Sequence, residues 1–302
     1  MSKYAIYTAI VGGYDEILQP KVIDDRFDYI LFSNDIKETN VGVWQVRPIN
    51  YHNDIQTKIA RWVKTHPEEL LSDYDLSVWM DANIRIETGF IYGKIIQLFE
   101  EKVLLCSVIH PVRNCAYAEV ASVVYYDFED YNTSISYGKY LLANGYPRCM
   151  GLNETNILYR IHSDLKVFEM DNLWWNCIDN YSRRDQLSFN YSCWQVGISC
   201  ENLLPIGESA RNSKNFTLNV VHKNETKKHI HNKRNKIKLI YNSCHDWDLV
   251  GDTIYWALGK KNTSFWLAMI AFVWGAKNMM RKFVKWLLPA CWVSKFRRGK
   301  NE

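Results

Sequence analysis

Asp75-Leu76-Ser77-Val78-Trp79-Met80-Asp81-Ala82-Asn83 is the stretch on which the fold turns. Residues 75–80 read as a buried strand, and it runs directly into a carboxylate, a small residue and an amide. Toward the N-terminus, residues 4–11 (YAIYTAIV) read as another buried strand, ending at Gly12-Gly13. Residues 27–33 (FDYILFS) read as a third, stopped by Asn34-Asp35. Between them and the central stretch, residues 54–64 have helical spacing. Ile55, Ile59, Trp62 and Val63 form the apolar stripe, Lys58 and Arg61 share another face, and Pro67 closes the helix. Beyond Asn83, residues 91–99 read as a short helix and 103–109 (VLLCSVI) as a strand. Strands alternating with helices predict an α/β fold with a mostly parallel, helix-flanked sheet. In such sheets ligands sit at the carboxyl ends of the strands. Gly12-Gly13, Asn34-Asp35, Asp81-Asn83 and His110 all fall there, so the polar residues converge on one edge.

Farther along, residues 117–145 read mainly as helix, 156–161 as a strand, and 183–195 as a helix or turn around Arg184-Asp185-Gln186. A polar, basic loop runs from His222 to Lys238. The chain has 302 residues, 47% hydrophobic and 23% charged, the mix of a folded protein rather than a disordered one. With 12 Trp and 19 Tyr it is rich in flat rings carrying a polar edge, which suit a sugar site, a membrane interface or a Tyr-rich core. None of the eight cysteines forms a C-x-x-C pair, which argues against a zinc ribbon or a thioredoxin-like site. Residues 1–7 run into a strand pattern without the basic start and long apolar run of a secretory signal, so they read as the fold rather than as a leader. The cysteines therefore read as reduced cytoplasmic thiols, and the sequons at Asn132 and Asn262 as unused.

The carboxylate of Asp81 and the amide of Asn83 are hard oxygen donors two residues apart at a strand end. That suits Mn2+ or Mg2+ bridging the phosphates of a nucleoside diphosphate. The first strand end (Thr8, Ala9, Val11, Gly12) is placed to frame a nucleobase and ribose, and Gly12-Gly13 lets the backbone approach closely. Lys58 and Arg61 are candidates for the diphosphate, with a solvated basic face as the alternative. His110 and Arg113 follow the 103–109 strand and can line a sugar or acceptor pocket, or serve as structural hydrogen-bonders. Glu154 and Asp185 are the acidic candidates for acceptor binding or for taking the acceptor's proton. For Asp185 the alternative is a helix cap. His222, after the apolar run FTLNVV, is the candidate third metal ligand, with His229 and His231 competing.

Several blocks together carry a resemblance. They are YAIYTAIVGGYDEI from Tyr4, YILFSND, KIARWVKTHPEELLSDYDLSVWMDANI, then HPVRNCAYAE (110–119), GLNETN (151–156) and RDQLSF (184–189). Over roughly residues 4 to 222 the chain resembles the glycosyltransferase-like family that includes the plant mucilage-biosynthesis and turgor-regulation proteins and bacterial members of polysaccharide gene clusters. The resemblance implies a GT-A-like fold, a nucleotide-sugar donor and a divalent cation at the Asp81-Ala82-Asn83 triplet. Arg184-Asp185-Gln186 resembles the acidic acceptor-side motif of other GT-A enzymes. Asn83 stands where an Asp is common, and an amide brings less negative charge to a cation. One branch of the family has been linked to lipid-amide hydrolysis. Membrane-surface hydrolysis and a non-catalytic scaffold are therefore the alternatives to glycosyl transfer onto a polysaccharide, glycan or lipid-linked acceptor.

The tail lies outside that resemblance. Residues 260–302 hold ten Lys/Arg against one acidic residue, although the whole chain is only +4. Phe265 to Ala276 is apolar or Gly throughout, but its twelve residues fall short of the ~20 that span a bilayer. Over 264–298 basic residues interleave with Trp, Phe and Leu, the pattern of a helix lying on an anionic membrane surface, with packing against the core as the alternative. The sequence thus divides into a domain over 1–259 and a membrane-associating tail over 260–302, peripheral on the inner face of the cell membrane. Basic residues gathered in a Trp- and Leu-rich tail, rather than along a groove, argue against nucleic acid as a partner.

Overall fold

A computed structural model describes residues 2–219 and Ile240. The elements, in chain order, are β1 (Tyr4–Ala9), β2 (Phe27–Phe32), β3 (Asn40–Val41), β4 (Trp44–Arg47), α1 (Gln56–Thr65), α2 (Pro67–Leu70), β5 (Leu76–Met80), β6 (Ile84–Ile86), α3 (Phe90–Glu100) and β7 (Leu105–Ile109). They continue with α4 (Ala116–Tyr125), α5 (Tyr131–Ala143), β8 (Asn153–Arg160), α6 (Leu165–Asn180), α7 (Asp185–Val196), β9 (Glu201–Asn202) and β10 (Phe216–Leu218).

Eight strands form one sheet in the order β3-β4-β2-β1-β5-β8-β7-β9. β4, β2, β1 and β5 run parallel to one another. The strand read from residues 156–161 begins earlier, at Asn153, and runs antiparallel to both neighbours, β5 and β7. This reversal shapes the site: the start of β8, not its end, reaches the edge where β5 ends. β6 and β10 pair in a small second sheet beside it.

Every residue of β5 is buried, as expected for a strand covered on both faces. The period-2 alternation divides its neighbours between two cores. Ile6, Leu31, Val78 and Met80 pack toward Ile91, Ile95 and Leu98 of α3. Tyr7, Phe32, Trp79 and Leu158 pack toward α1, α6 and α7 through Trp62, Val167, Met170, Trp174 and Phe189. α4 and α5 build a third cluster with Leu187 and Tyr191 of α7. The single helix expected over 117–145 is two helices. Asp127 takes a positive φ of 57°, and Asp130 caps α5 by accepting from the Thr133 N–H at 3.0 Å. Pro67 both ends the reach of α1 and opens α2, where its missing N–H costs nothing. No described helix is long and apolar enough to cross a membrane. The tail over 260–302, and the boundary at 259, lie outside the described residues.

Candidate functional site

The Asp81-Ala82-Asn83 triplet is a tight turn between β5 and β6, closed by the Ile84 N–H donating to the Asp81 carbonyl at 2.9 Å. The turn sets the two polar side chains apart from the residue between them. Ala82 is buried, while the Asp81 side chain is 31% exposed and Asn83 is partly exposed. The Asp81 N–H donates to the Asn156 carbonyl at 2.9 Å, fixing the turn to the start of β8. Asp81 Oδ1 accepts from the Trp79 indole at 2.7 Å. Asn83 donates from Nδ2 to the Asn219 carbonyl at 2.8 Å, and the Asn219 N–H donates back to the Asn83 carbonyl at 2.8 Å.

Behind Asp81 stands a cation absent from the candidates named above. Lys64, at the end of α1, is 1% exposed. Its ammonium donates to Asp185 Oδ2 at 2.5 Å and lies 3.9 Å from Asp81 Oδ1. It also sits over the rings of Trp79 (5.3 Å) and Trp174 (5.6 Å), where the ring quadrupole attracts a cation. Its carbonyl, one of those a helix end leaves unpaired, accepts from the Tyr7 hydroxyl (2.9 Å) and from Arg160 (2.6 Å). Asp185 accepts further from the Thr155 hydroxyl at 2.8 Å, and Arg61 Nη2 lies 3.3 Å from its Oδ1. Burial opposes the charge on Asp185, but Arg61 and Lys64 outweigh it and hold the carboxyl well below the usual range. Burial also pulls Lys64 below its ordinary range, against the opposing pull of Asp185 and Asp81.

The other candidates divide. Glu154 is buried beside the same edge. Arg211 donates to its Oε1 at 2.9 Å, while among the described residues its Oε2 has only Asn156 Nδ2 at 3.5 Å. Gly12 has a φ of 71°, and its N–H donates to Asp35 Oδ2 at 2.5 Å, so the turns after β1 and β2 are tied together. Thr8 is buried with its hydroxyl unpaired among the described residues. Ala9 and Val11 pack half-buried on the α1–α6 side. Lys58 goes elsewhere: because α1 packs on α6, its ammonium donates to the carbonyl (2.5 Å) and carboxylate (3.0 Å) of Asp179. Only Arg61 of that pair reaches the Asp185 cluster. His222, His229 and His231 lie outside the described residues.

His110 and Arg113 stand apart from Asp81, at the end of β7. His110 Nδ1 accepts from the backbone N–H groups of Val112 (3.1 Å) and Arg113 (2.9 Å). Burial, helped by Arg113 and Arg211, pushes its pKa down to about 3, so the ring is neutral at physiological pH. Arg113 donates from Nε to Glu119 Oε2 at 2.5 Å. Both residues line a cleft of about 850 Å³ between the end of β7, the start of β8 and the end of α7. Asp81 is not in its wall. β8 joins the two places: Asn153 lines the cleft, and three residues on, roughly 10 Å along the strand, Asn156 holds Asp81.

Among the described residues no group of three or more His, Cys, Asp or Glu could hold a metal ion. What the turn offers a cation is Asp81 Oδ2 and Asn83 Oδ1, the oxygens left by the bonds from Trp79 and to Asn219. That donor set fits a hard cation that shares its shell with phosphates and water, and does not fit a cage made by the protein alone.

Lys64 carried a signal in sequence, three residues after Arg61 on the same helix. Arg211 and Thr155 carried none, because their partners are distant in the chain, whereas the Trp79 indole is only two residues from Asp81. No protein-family model and no curated protein matches the sequence. Among solved structures the chain is similar to the apo structure of the bifunctional glycosyltransferase WbbM, at 11% identity and a TM-score of 0.38 over 68% of this chain. The chain spans 39% of that protein, and a likeness at this level leaves the reaction to the site itself.

Proposed function

We propose that the chain is a metal-dependent glycosyltransferase that moves a sugar from a nucleotide donor to a glycan or lipid-linked acceptor. The observation that supports this most is the turn at Asp81-Ala82-Asn83. It leaves one carboxylate oxygen and one amide oxygen at the carboxyl edge of a parallel sheet, beside the glycine turn that ends β1. Asp81 and Asn83 would hold Mn2+ or Mg2+, whose positive charge would favour departure of a diphosphate. His222 is proposed as a further ligand because Asn219, three residues before it, is bonded to Asn83. The sugar's anomeric carbon loses its bond to the phosphate oxygen and gains one to an acceptor oxygen, whose proton must be taken up.

Of the two candidate carboxylates, Asp185 has both oxygens committed to Lys64, Thr155 and Arg61. A carboxyl held so far down is a weak base, so Asp185 is assigned a positioning role instead. Glu154 keeps an oxygen with only one long contact among the described residues and takes the acid–base role in this reading. The basic tail over 264–298 would hold the enzyme against an anionic membrane surface. The test is a panel of nucleotide sugars scored for thermal stabilisation and for hydrolysis, with and without Mn2+. One donor should stabilise the wild-type chain and be turned over only with metal, and Asp81→Ala should abolish both effects. Full turnover in Asp81→Ala at saturating metal refutes the assignment.

A further inference from the structure

The cleft at the end of β7 differs chemically from the Asp81 turn, and the difference bears on what it can hold. At about 850 Å³ it has the size of a ligand site. Among the described residues its only charged side chain is Arg113, and that guanidinium is already bound to Glu119, itself buried on α4. His110 is neutral, and burial holds the thiols of Cys193 and Cys200 protonated by raising both. What remains to meet a ligand is uncharged and bifunctional. Asn114, Ser199 and Asn202 are exposed, and their side chains make no hydrogen bond among the described residues. Amides and hydroxyls both donate and accept, which matches sugar hydroxyls. An anion would call for unspent donors alone. Trp194, braced edge-on by Tyr146 at 5.4 Å, adds a half-buried indole to the wall. Indoles favour the apolar faces of flat, polar-edged ligands. Asn190 fixes the floor by donating to Asn153 Oδ1 (2.7 Å) and accepting from its N–H (2.9 Å).

We infer that this cleft is the acceptor subsite and that it selects an uncharged glycan over an acidic one, with Trp194 as the stacking surface. The inference rests on the transferase reading for the word acceptor, while the binding chemistry stands on the cleft alone. Glu154, next to Asn153 on β8, lies between the cleft and Asp81, where an acceptor hydroxyl would have to arrive.

Isothermal titration of the full chain tests it with neutral trisaccharides of glucose, galactose, mannose and N-acetylglucosamine, and with trigalacturonate as the acidic probe. At least one neutral trisaccharide should bind, at least about tenfold more tightly than trigalacturonate. Trp194→Ala should weaken that binding about tenfold and Trp194→Phe much less. Equal thermal midpoints would show that both variants fold. The inference is overturned if trigalacturonate binds as well as the neutral sugars, if Trp194→Ala leaves the affinity unchanged, or if none of the neutral trisaccharides binds. Glycan binding without stabilisation by any nucleotide sugar would sink the transferase reading and leave the cleft assignment standing. Nucleotide binding without glycan binding would do the reverse.

Discussion

Lys64→Met removes the ammonium that joins α1, β5 and α7 and keeps a chain of nearly the same volume. In the wild type the ammonium donates to Asp185 at 2.5 Å, in a place where neither side chain is more than 5% exposed. Breaking a buried pair from one side leaves the other charge uncompensated and costs about 3–5 kcal/mol. Arg61, at 3.3 Å from the other carboxylate oxygen, softens this, so the lower end applies. For a domain of this size about 3 kcal/mol lowers the thermal midpoint by roughly 6–12 °C. The readout is urea and thermal unfolding followed by circular dichroism, for Lys64→Met, for Asp185→Asn and for the double variant. If the cost is an orphaned charge, the double variant should regain stability over Lys64→Met, and the coupling should exceed about 1 kcal/mol. The pH dependence has a definite sign. Asp185 is held below its unfolded value, so its stabilising contribution is present above the ordinary carboxylate range and is lost as pH falls below that range. Lys64→Met should therefore narrow its gap to wild type in acid. A Lys64→Met variant within about 1 kcal/mol of wild type, with no coupling to Asp185, refutes the reasoning.

Further outcomes follow from other parts of the molecule. His110, pushed down to about 3, stays neutral in the fold while the unfolded chain takes up its proton below about 6.5. Wild-type stability should therefore fall as pH drops through that interval, and His110→Asn should flatten the decline in urea titrations at stepped pH. Gly12→Ala forces a side chain onto a φ of 71° and places its Cβ 2.0 Å from the Gln56 amide oxygen, so about 1–2 kcal/mol of stability should be lost even if Gln56 swings aside. Equal unfolding midpoints for Gly12→Ala and wild type would show that the turn relaxes. Glu154→Gln should cut transfer at least about a hundredfold while leaving nucleotide-sugar stabilisation in place, and unchanged transfer would return the base role to another group. Deleting residues 261–302 should shift the protein from sedimenting vesicles containing anionic lipid to the supernatant, and unchanged sedimentation would contradict a membrane role for the tail.

The sequence determined what local chemistry can determine. The strands at 4–9, 27–32 and 76–80 declare themselves by apolar run and turn residue, but helices (α1 and α2) precede only the third, and the parallel pairing of the first two is made across a connection without a helix. Asp81 and Asn83 are legible because strand ends in such sheets carry the chemistry. The break near Asp127–Asp130 escaped a helical reading, since its positive φ sits on an ordinary aspartate. The direction of β8 was equally hidden, because pairing direction is a property of two strands and is written in neither. Tertiary structure alone decided that reversal. With it came the placing of Asn156 beside Asp81, the bond of Lys58 to Asp179, and the burial of Lys64 against an aspartate 121 residues away. Electrostatic roles of that kind depend on distance and on exclusion of water, and neither exists until the chain has folded.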